Sequence, residues 1–257
     1  MFKIVFLGDI VGKSGRKLIK EELPRLKQEQ QADVVIANGE NSAGGLGIDP
    51  GCAGELFSAG VDLLTTGNHI WSKKEVYAYL DEHSSRIIRP CNYAPGLPGA
   101  GFLVWRSARG VSLCVINLLG RVFMPALLDY PFRCFDSLLE INEVRNADLR
   151  FVDFHAEATS EKIAFGYHAD SRATAVVGTH THVQTADERV LPGGCAYITD
   201  AGMCGPEDGV IGVGAERILE RFRCGLPMRF DLAKGRRQLC AVVIPCDEVS
   251  GRAVEIT

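Results

Sequence analysis

The chain has 257 residues, 46% of them hydrophobic, which is ample for one continuous core and argues against a disordered or fibrous class. Its 28 Lys and Arg against 32 Asp and Glu give a formal net charge of −4, which argues against a polybasic surface for extended nucleic acid or a membrane. Nine cysteines lie scattered from Cys52 to Cys246 without a C-x-x-C pair, so neither a disulfide framework nor a thiolate zinc site is indicated.

The apolar run Phe2 to Leu7 reads as a buried strand, followed by an amphipathic helix over Ser14 to Gln30 that Pro24 should bend or shorten. Val34 to Ala37 and Val61 to Thr66 are the next strands. Ser72 to Glu82 opens with Ser72 and Glu75 in capping-box spacing and predicts a helix. Cys91 to Gly101, with Pro95, Pro98 and its glycines, is the clearest long loop, Phe102 to Trp105 and Ser112 to Leu118 are strands, and Gly120 to Pro131 is the next loop; both loops could line a cleft. Helices over Arg133 to Val144 and Thr159 to Ala169 bracket the strand Leu149 to Phe154, with Thr159 to Lys162 read as N-capping chemistry. Ala173 to Val177 and Ala196 to Thr199 are strands, and Pro227 to Ala233 with Gln238 to Pro245 predict an antiparallel hairpin. The alternation implies an α/β layered fold with a partly parallel sheet, in a single domain over residues 1–257. Met1 to Asp9 is no signal peptide, and no run approaches the roughly 18 to 20 apolar residues of a membrane span, so a cytoplasmic protein is expected.

Side chains able to bind metal gather where the strands end. The first strand runs into Gly8-Asp9, the second into Asn38-Gly39-Glu40-Asn41 and the third into Gly67-Asn68-His69. Later strands run into His155-Ala156-Glu157 and into Gly178-Thr179-His180-Thr181-His182. Beyond strand C-termini is where open α/β sheets bind ligands. Four of the six histidines fall in these segments. In extended backbone His180 and His182 would share one side of the chain and address one metal centre or two adjacent ones. An Asp, a Glu, three His and two Asn supply donors for two first-row ions, Fe, Mn, Co or Zn, with one histidine to spare. Two divalent ions, the carboxylates of Asp9 and Glu40 and a bridging hydroxide leave a site of about +1, suited to an anion such as a phosphodiester. Glu40 is the natural bridge. Glu157 is placed either to accept from a ligand imidazole or to begin the next helix, and Arg121 and Arg172 could reach phosphate or nucleobase. Gly8 to Ser14 ends in Gly-Lys-Ser but lacks the spacing of a nucleotide-triphosphate loop.

These segments resemble the calcineurin-like metallophosphoesterases, whose fold is a four-layer αββα sandwich with mixed sheets. The runs 38–41, 67–71, 153–161 and 178–187 narrow the likeness to the bacterial YmdB family of phosphodiesterases, over essentially the whole chain. The resemblance implies hydrolysis of small phosphodiesters, 2′,3′-cyclic and also 3′,5′-cyclic nucleotides, by two transition-metal ions. It implies that Asp9, Glu40, Asn41 and His182 hold one ion and Glu40, Asn68, His155 and His180 the other. His69 is then free to act as general acid, the nucleophile is a metal-bridging hydroxide, and the chain forms a homo-oligomer, dimer or tetramer. Most of the wider superfamily carries Asp-x-His at the first motif, where this chain has Asp9-Ile10-Val11. Asn41 stands in for the missing imidazole, and the oxygen-richer set favours iron or manganese over zinc or cobalt. Two other functions use the same residues: a regulatory module binding nucleotide or RNA ends with little hydrolysis, and a phosphoprotein phosphatase.

Overall fold

Side-chain alternation along the first strand divides its apolar residues between two cores, and the same division in the strands that follow builds four layers. The computed structural model describes residues 1–257. Its strands are β1 (Phe2–Leu7), β2 (Asp9–Ile10), β3 (Val34–Asn38), β4 (Leu63–Thr65), β5 (Phe102–Arg106), β6 (Ser112–Leu119), β7 (Leu149–His155), β8 (Ala175–Thr179), β9 (Arg189–Val190), β10 (Ala196–Ile198), β11 (Met203–Pro206), β12 (Arg237–Leu239), β13 (Ala241–Asp247) and β14 (Arg252–Ala253). The helices are α1 (Gly12–Gln30), α2 (Pro50–Ser58), α3 (Val76–Glu82), α4 (Pro131–Leu139), α5 (Asn142–Arg145), α6 (Thr159–Ala169) and α7 (Ala215–Cys224).

One sheet runs β14-β13-β1-β3-β4 and a second β5-β6-β7-β8-β10-β9, with a small β12-β11-β2 sheet beside them. Phe2, Ile4 and Phe6 of β1 pack between the two large sheets against Val115, Phe151 and Val177. The rings of Phe6 and Phe151 lie 5.2 Å apart. Val5 and Leu7 face the other way, onto Ile19, Leu23 and Leu56 of α1 and α2. On the far side of the second sheet, Ile116, Phe154 and Val176 pack on Phe135 and Phe165 of α4 and α6. Strands covered on both faces need apolar residues at every position, which is why they read as unbroken runs. The result is the expected αββα sandwich.

Five local expectations are corrected. Helix α1 continues through Pro24 to Gln30. Ser72 closes a short 3-10 turn over Ile70–Ser72, and α3 starts only at Val76 with no side-chain cap. There Trp71 packs edge-on against both Tyr77 and Tyr93, and this tertiary packing outweighs the capping-box spacing. The helix over Arg133 to Val144 is two pieces, α4 and α5. No hydroxyl caps α6; Glu161 in its first turn instead accepts from the backbone of Arg121 and Val122. Pro227 to Ala233 forms no strand and there is no terminal hairpin: β12 pairs with β11, while β13 pairs antiparallel with β1, Phe2 opposite Cys246. Pairing with the central β1 buries alternate residues of β13, which a two-stranded hairpin could not do. Helix α2 went unpredicted although Asp49 and Pro50 carry its signature, the Asp49 carboxylate accepting from Cys52 N at 2.8 Å.

Candidate metal centre

β1, β3 and β4 run parallel, as do β6, β7, β8 and β10, so the C-terminal ends of both sheets deliver their turns to one edge of the sandwich. Asp9 follows β1, Glu40 and Asn41 follow β3, Asn68 and His69 follow β4, His155 ends β7, and His180 and His182 follow β8. All eight meet there. Asp9, Glu40, Asn41 and His155 are buried, and His69, His180 and His182 are partly exposed.

Two points of convergence stand out. At the first, His155 Nε2 lies 3.2 Å from Glu40 Oε1, 3.0 Å from Asn68 Oδ1 and 3.0 Å from His180 Nδ1. Donor atoms of Glu40, His155 and His180 all fall within 4.8 Å of one another. At the second, Asn41 Nδ2 lies 3.1 Å from Glu40 Oε1, 3.1 Å from His182 Nε2 and 3.5 Å from Asp9 Oδ1. Glu40 Oε1 belongs to both.

The outer partners fix which ring nitrogens carry lone pairs. Thr179 Oγ1 donates its one proton to Asp153 Oδ1 at 2.6 Å, so it accepts from His155 Nδ1 at 2.9 Å and leaves the Nε2 lone pair facing inward. His182 Nδ1 donates to Ile211 O at 2.9 Å, again leaving Nε2. His180 Nε2 lies 3.1 Å from Glu157 Oε2, leaving Nδ1; Glu157 therefore supports a donor imidazole rather than beginning α6. At each point lone pairs of carboxylate and imidazole, joined at the first by the Asn68 amide oxygen, then face one another and need a hydrogen-bond donor or a cation between them. In the protein alone that group is a proton on His155 and the N–H of Asn41. A cation fits both places, the second with the Asn41 amide turned to present its oxygen.

Charge distribution agrees. Burial opposes charging His155, but the Glu40 carboxylate beside it raises the imidazole to about 9. Burial likewise opposes ionising Glu40, yet the charge and hydrogen bond of His155, with those of His69, hold it well below the usual carboxylate range. Burial pushes Asp9 up, offset in part by His182 and His155. Burial and the neighbouring His155 charge push His180 down to about 3. Burial raises Asp153 to about 6 despite His155.

The His-x-His pair is not extended: His180 has φ 103° and His182 φ 66°, so the backbone turns between them and sends each ring to a different point of convergence. Such left-handed non-glycine conformations persist where surroundings over-determine them. Here His180 N donates to Asp9 Oδ2 at 3.1 Å, and Asp200 Oδ2 accepts from Thr181 N at 3.0 Å. Asp153, Thr179, Ile211 and Asp200 were missed as supporting residues in the sequence. His69 Nδ1 lies 2.9 Å from Asn41 Oδ1 and 3.3 Å from Glu40 Oε1, while its Nε2 has no protein hydrogen-bond partner. Arg172 takes no part; it pairs with Asp136 at 2.7 Å. Gly67 has a steric reason to be glycine, since a Cβ there would fall 2.6 Å from His155 Nε2 and closer still to Glu40 Oε2. Gly67→Ala should therefore lower metal affinity at least about tenfold with little change in far-ultraviolet circular dichroism, as read by metal titration.

A family model described as YmdB-like protein matches residues 5–257. The chain belongs to the YmdB family. A 2′,3′-cyclic-nucleotide 2′-phosphodiesterase of Bacillus subtilis is 47% identical to this YmdB-family chain over 254 residues, covering 99% of the chain and 95% of that protein. Among solved structures, a hypothetical protein from Thermus thermophilus superposes with a TM-score of 0.92 at 43% identity, covering 100% of the chain and 97% of the other. A novel phosphatase from Mycoplasma pneumoniae superposes with a TM-score of 0.92 at 39% identity, covering 100% and 92%. No helix of this YmdB-family member is long and apolar enough to cross a membrane.

Proposed function

We propose that the chain is a dinuclear metal-dependent phosphodiesterase that hydrolyses cyclic nucleotides, with residues 1–257 forming one metallophosphoesterase domain that works in the cytoplasm as a homo-oligomer. The observation that carries this reading is the pair of convergent donor sets sharing Glu40 Oε1. The activity named for the Bacillus subtilis relative supports the substrate class.

Asp9, Glu40, Asn41 and His182 would hold one ion and Glu40, Asn68, His155 and His180 the other, iron or manganese suiting so oxygen-rich a set. When bound, such a pair supplies Lewis acidity to the phosphate and acidifies a shared water. The chain's own residues do the rest. Thr179, Ile211 and Glu157 keep three imidazoles in the tautomer that presents a lone pair. Asp9 and Glu40 return only about two negative charges, so the loaded centre stays attractive to an anionic diester. With the Asn41 amide turned so that its oxygen faces the ion, its N–H donates to His69 Nδ1, which leaves the imidazole proton on Nε2 to be delivered to the departing ribose oxygen.

The decisive experiment couples elemental analysis to kinetics. Purified protein should carry two transition-metal ions per chain and cleave a 2′,3′-cyclic nucleotide. His69→Ala should keep nucleotide binding and lose roughly 10²- to 10⁴-fold in kcat. Unchanged turnover in that variant would remove His69 from the mechanism, and full activity after chelation would end the metal reading.

A second expectation concerns protons. His155 is charged in the metal-free protein at neutral pH because its proton leaves only near 9. An ion taking Nε2 must displace that proton, so binding should release on the order of one proton per chain. Calorimetry in buffers of different ionisation enthalpy reads this directly. Affinity should rise with pH toward about 9; release that does not depend on His155, tested as His155→Ala, would contradict it. Folding linkage has the opposite sense: a raised histidine stabilises the metal-free fold at lower pH, and that contribution is lost as pH climbs through the same value.

A further inference from the structure

The metal chemistry leaves the loop after β6 unused. β6 and β7 are parallel, with Leu119 opposite His155, so residues 120–130 leave the sheet one strand, about 4.8 Å, from that histidine. Gly120 N donates to His155 O at 3.0 Å. The loop is then pinned at both ends. The two carboxylate oxygens of Glu161 accept from Arg121 N at 2.9 and 3.0 Å, and one also accepts from Val122 N at 3.1 Å. At the other end Asp129 N donates to Asn92 O at 2.9 Å and Asn92 Nδ2 donates to Asp129 O at 3.0 Å.

Held this way, the loop and the start of the Cys91 to Gly101 segment border a shallow, open cavity of about 290 Å³ lined by Ala94, Arg121, Ala126, Leu127, Leu128 and Asp129. That is at the small end of ligand pockets, which run from about 300 Å³, and suits one heterocycle. The Arg121 guanidinium lies 3.9 Å over the Tyr130 ring, and none of its side-chain nitrogens donates to a protein acceptor. The Asp129 carboxylate also has no protein partner. A planar cation braced on an aromatic ring, an aliphatic wall and a free acceptor together form a surface on which an aromatic heterocycle with N–H groups can stack and hydrogen-bond.

We propose that this cavity is the nucleobase subsite, with the base stacked on the Arg121 guanidinium that Tyr130 braces from behind, packed by Leu127 and hydrogen-bonded to Asp129. The subsite rests on the phosphodiesterase reading of the neighbouring centre. It is tested with metal-loaded enzyme on two substrates: adenosine 2′,3′-cyclic phosphate, and methyl riboside 2′,3′-cyclic phosphate, which has the same reacting ring and no base. Arg121→Ala and Tyr130→Ala should raise KM for the nucleotide roughly 5- to 100-fold with kcat little changed. Their kcat/KM on the base-free substrate should equal wild type, and Tyr130→Phe should restore the nucleotide KM. Leu127 is 96% exposed, so Leu127→Trp fills the cavity without disturbing the core and should reproduce the KM effect. Equal losses on both substrates, no loss on either, or a wild type indifferent to the base would overturn the subsite while leaving the phosphodiesterase reading intact. A wild type that cleaves neither substrate would overturn that reading, and the subsite with it.

Discussion

Glu40→Gln is expected to empty the site of metal and to lower turnover by roughly 10³- to 10⁴-fold, the largest kinetic effect of any single substitution in this chain. The figure follows from the several kcal/mol that metal ions contribute to a developing phosphorane, at 1.36 kcal/mol per factor of ten. Glu40 differs from the other donors because one oxygen, Oε1, lies 3.2 Å from His155 Nε2 and 3.1 Å from Asn41 Nδ2, and so serves both points of convergence. Glutamine keeps the shape and loses the charge. It leaves a neutral amide against His155, whose positive charge depends on the carboxylate. Asp9 offers a donor atom to the second point alone, its Oδ1 lying 3.9 Å from His182 Nε2, and asparagine keeps an oxygen for His180 N, so Asp9→Asn should retain one ion per chain where Glu40→Gln retains none. Elemental analysis of the two variants side by side makes the comparison. Equal metal content in both would show that Glu40 does not bridge.

The donors were legible because each is a polar residue at an abrupt break in an apolar strand, and strand ends are fixed by local pattern. Gly67 could be flagged as a turn, but its closeness to Glu40 and His155 depends on packing of β4 against β7, which local sequence does not encode. The geometry between His180 and His182 was misread for a related reason. Alternation predicts one side for residues two apart, but only in extended backbone, and the positive φ angles here are imposed by Asp9 and Asp200, which arrive from other parts of the chain. The terminal hairpin failed likewise: proximity in sequence suggested a partner for β13, while the better-buried β1 at the opposite end of the chain took it. Lys162 gave no signal at all. In sequence it is an ordinary helix lysine after Thr159-Ser160-Glu161; in the fold it is 1% exposed.

That lysine carries the largest stability effect. Lys162 Nζ donates to Asp200 Oδ2 and to Thr179 O, each at 2.7 Å, and Asp200 is wholly buried. Asp200 spends its remaining capacity on Thr181 N at 3.0 Å and Gly202 N at 2.9 Å, so the pair clamps the turn bearing His180 and His182 from both sides. Lys162→Met keeps the apolar stem and removes the charge, leaving a buried carboxylate uncompensated, which costs about 3 to 5 kcal/mol. For a chain of this size that is a fall in Tm on the order of 10 °C, measurable by calorimetry on metal-free protein. The double variant Lys162→Met with Asp200→Leu removes both charges and should recover much of the loss, since a buried ion pair adds little over an apolar pair of similar volume. It should not recover metal affinity: without Asp200 the N–H groups of Thr181 and Gly202 lose their acceptor, the turn loosens, and a roughly 10- to 100-fold weakening is expected, as for other groups that orient metal-binding imidazoles. Stability and affinity therefore separate in the double variant. If both return together, the pair only fills space; if neither returns, the lost stability came from packing of the α6 stem and not from the stranded charge.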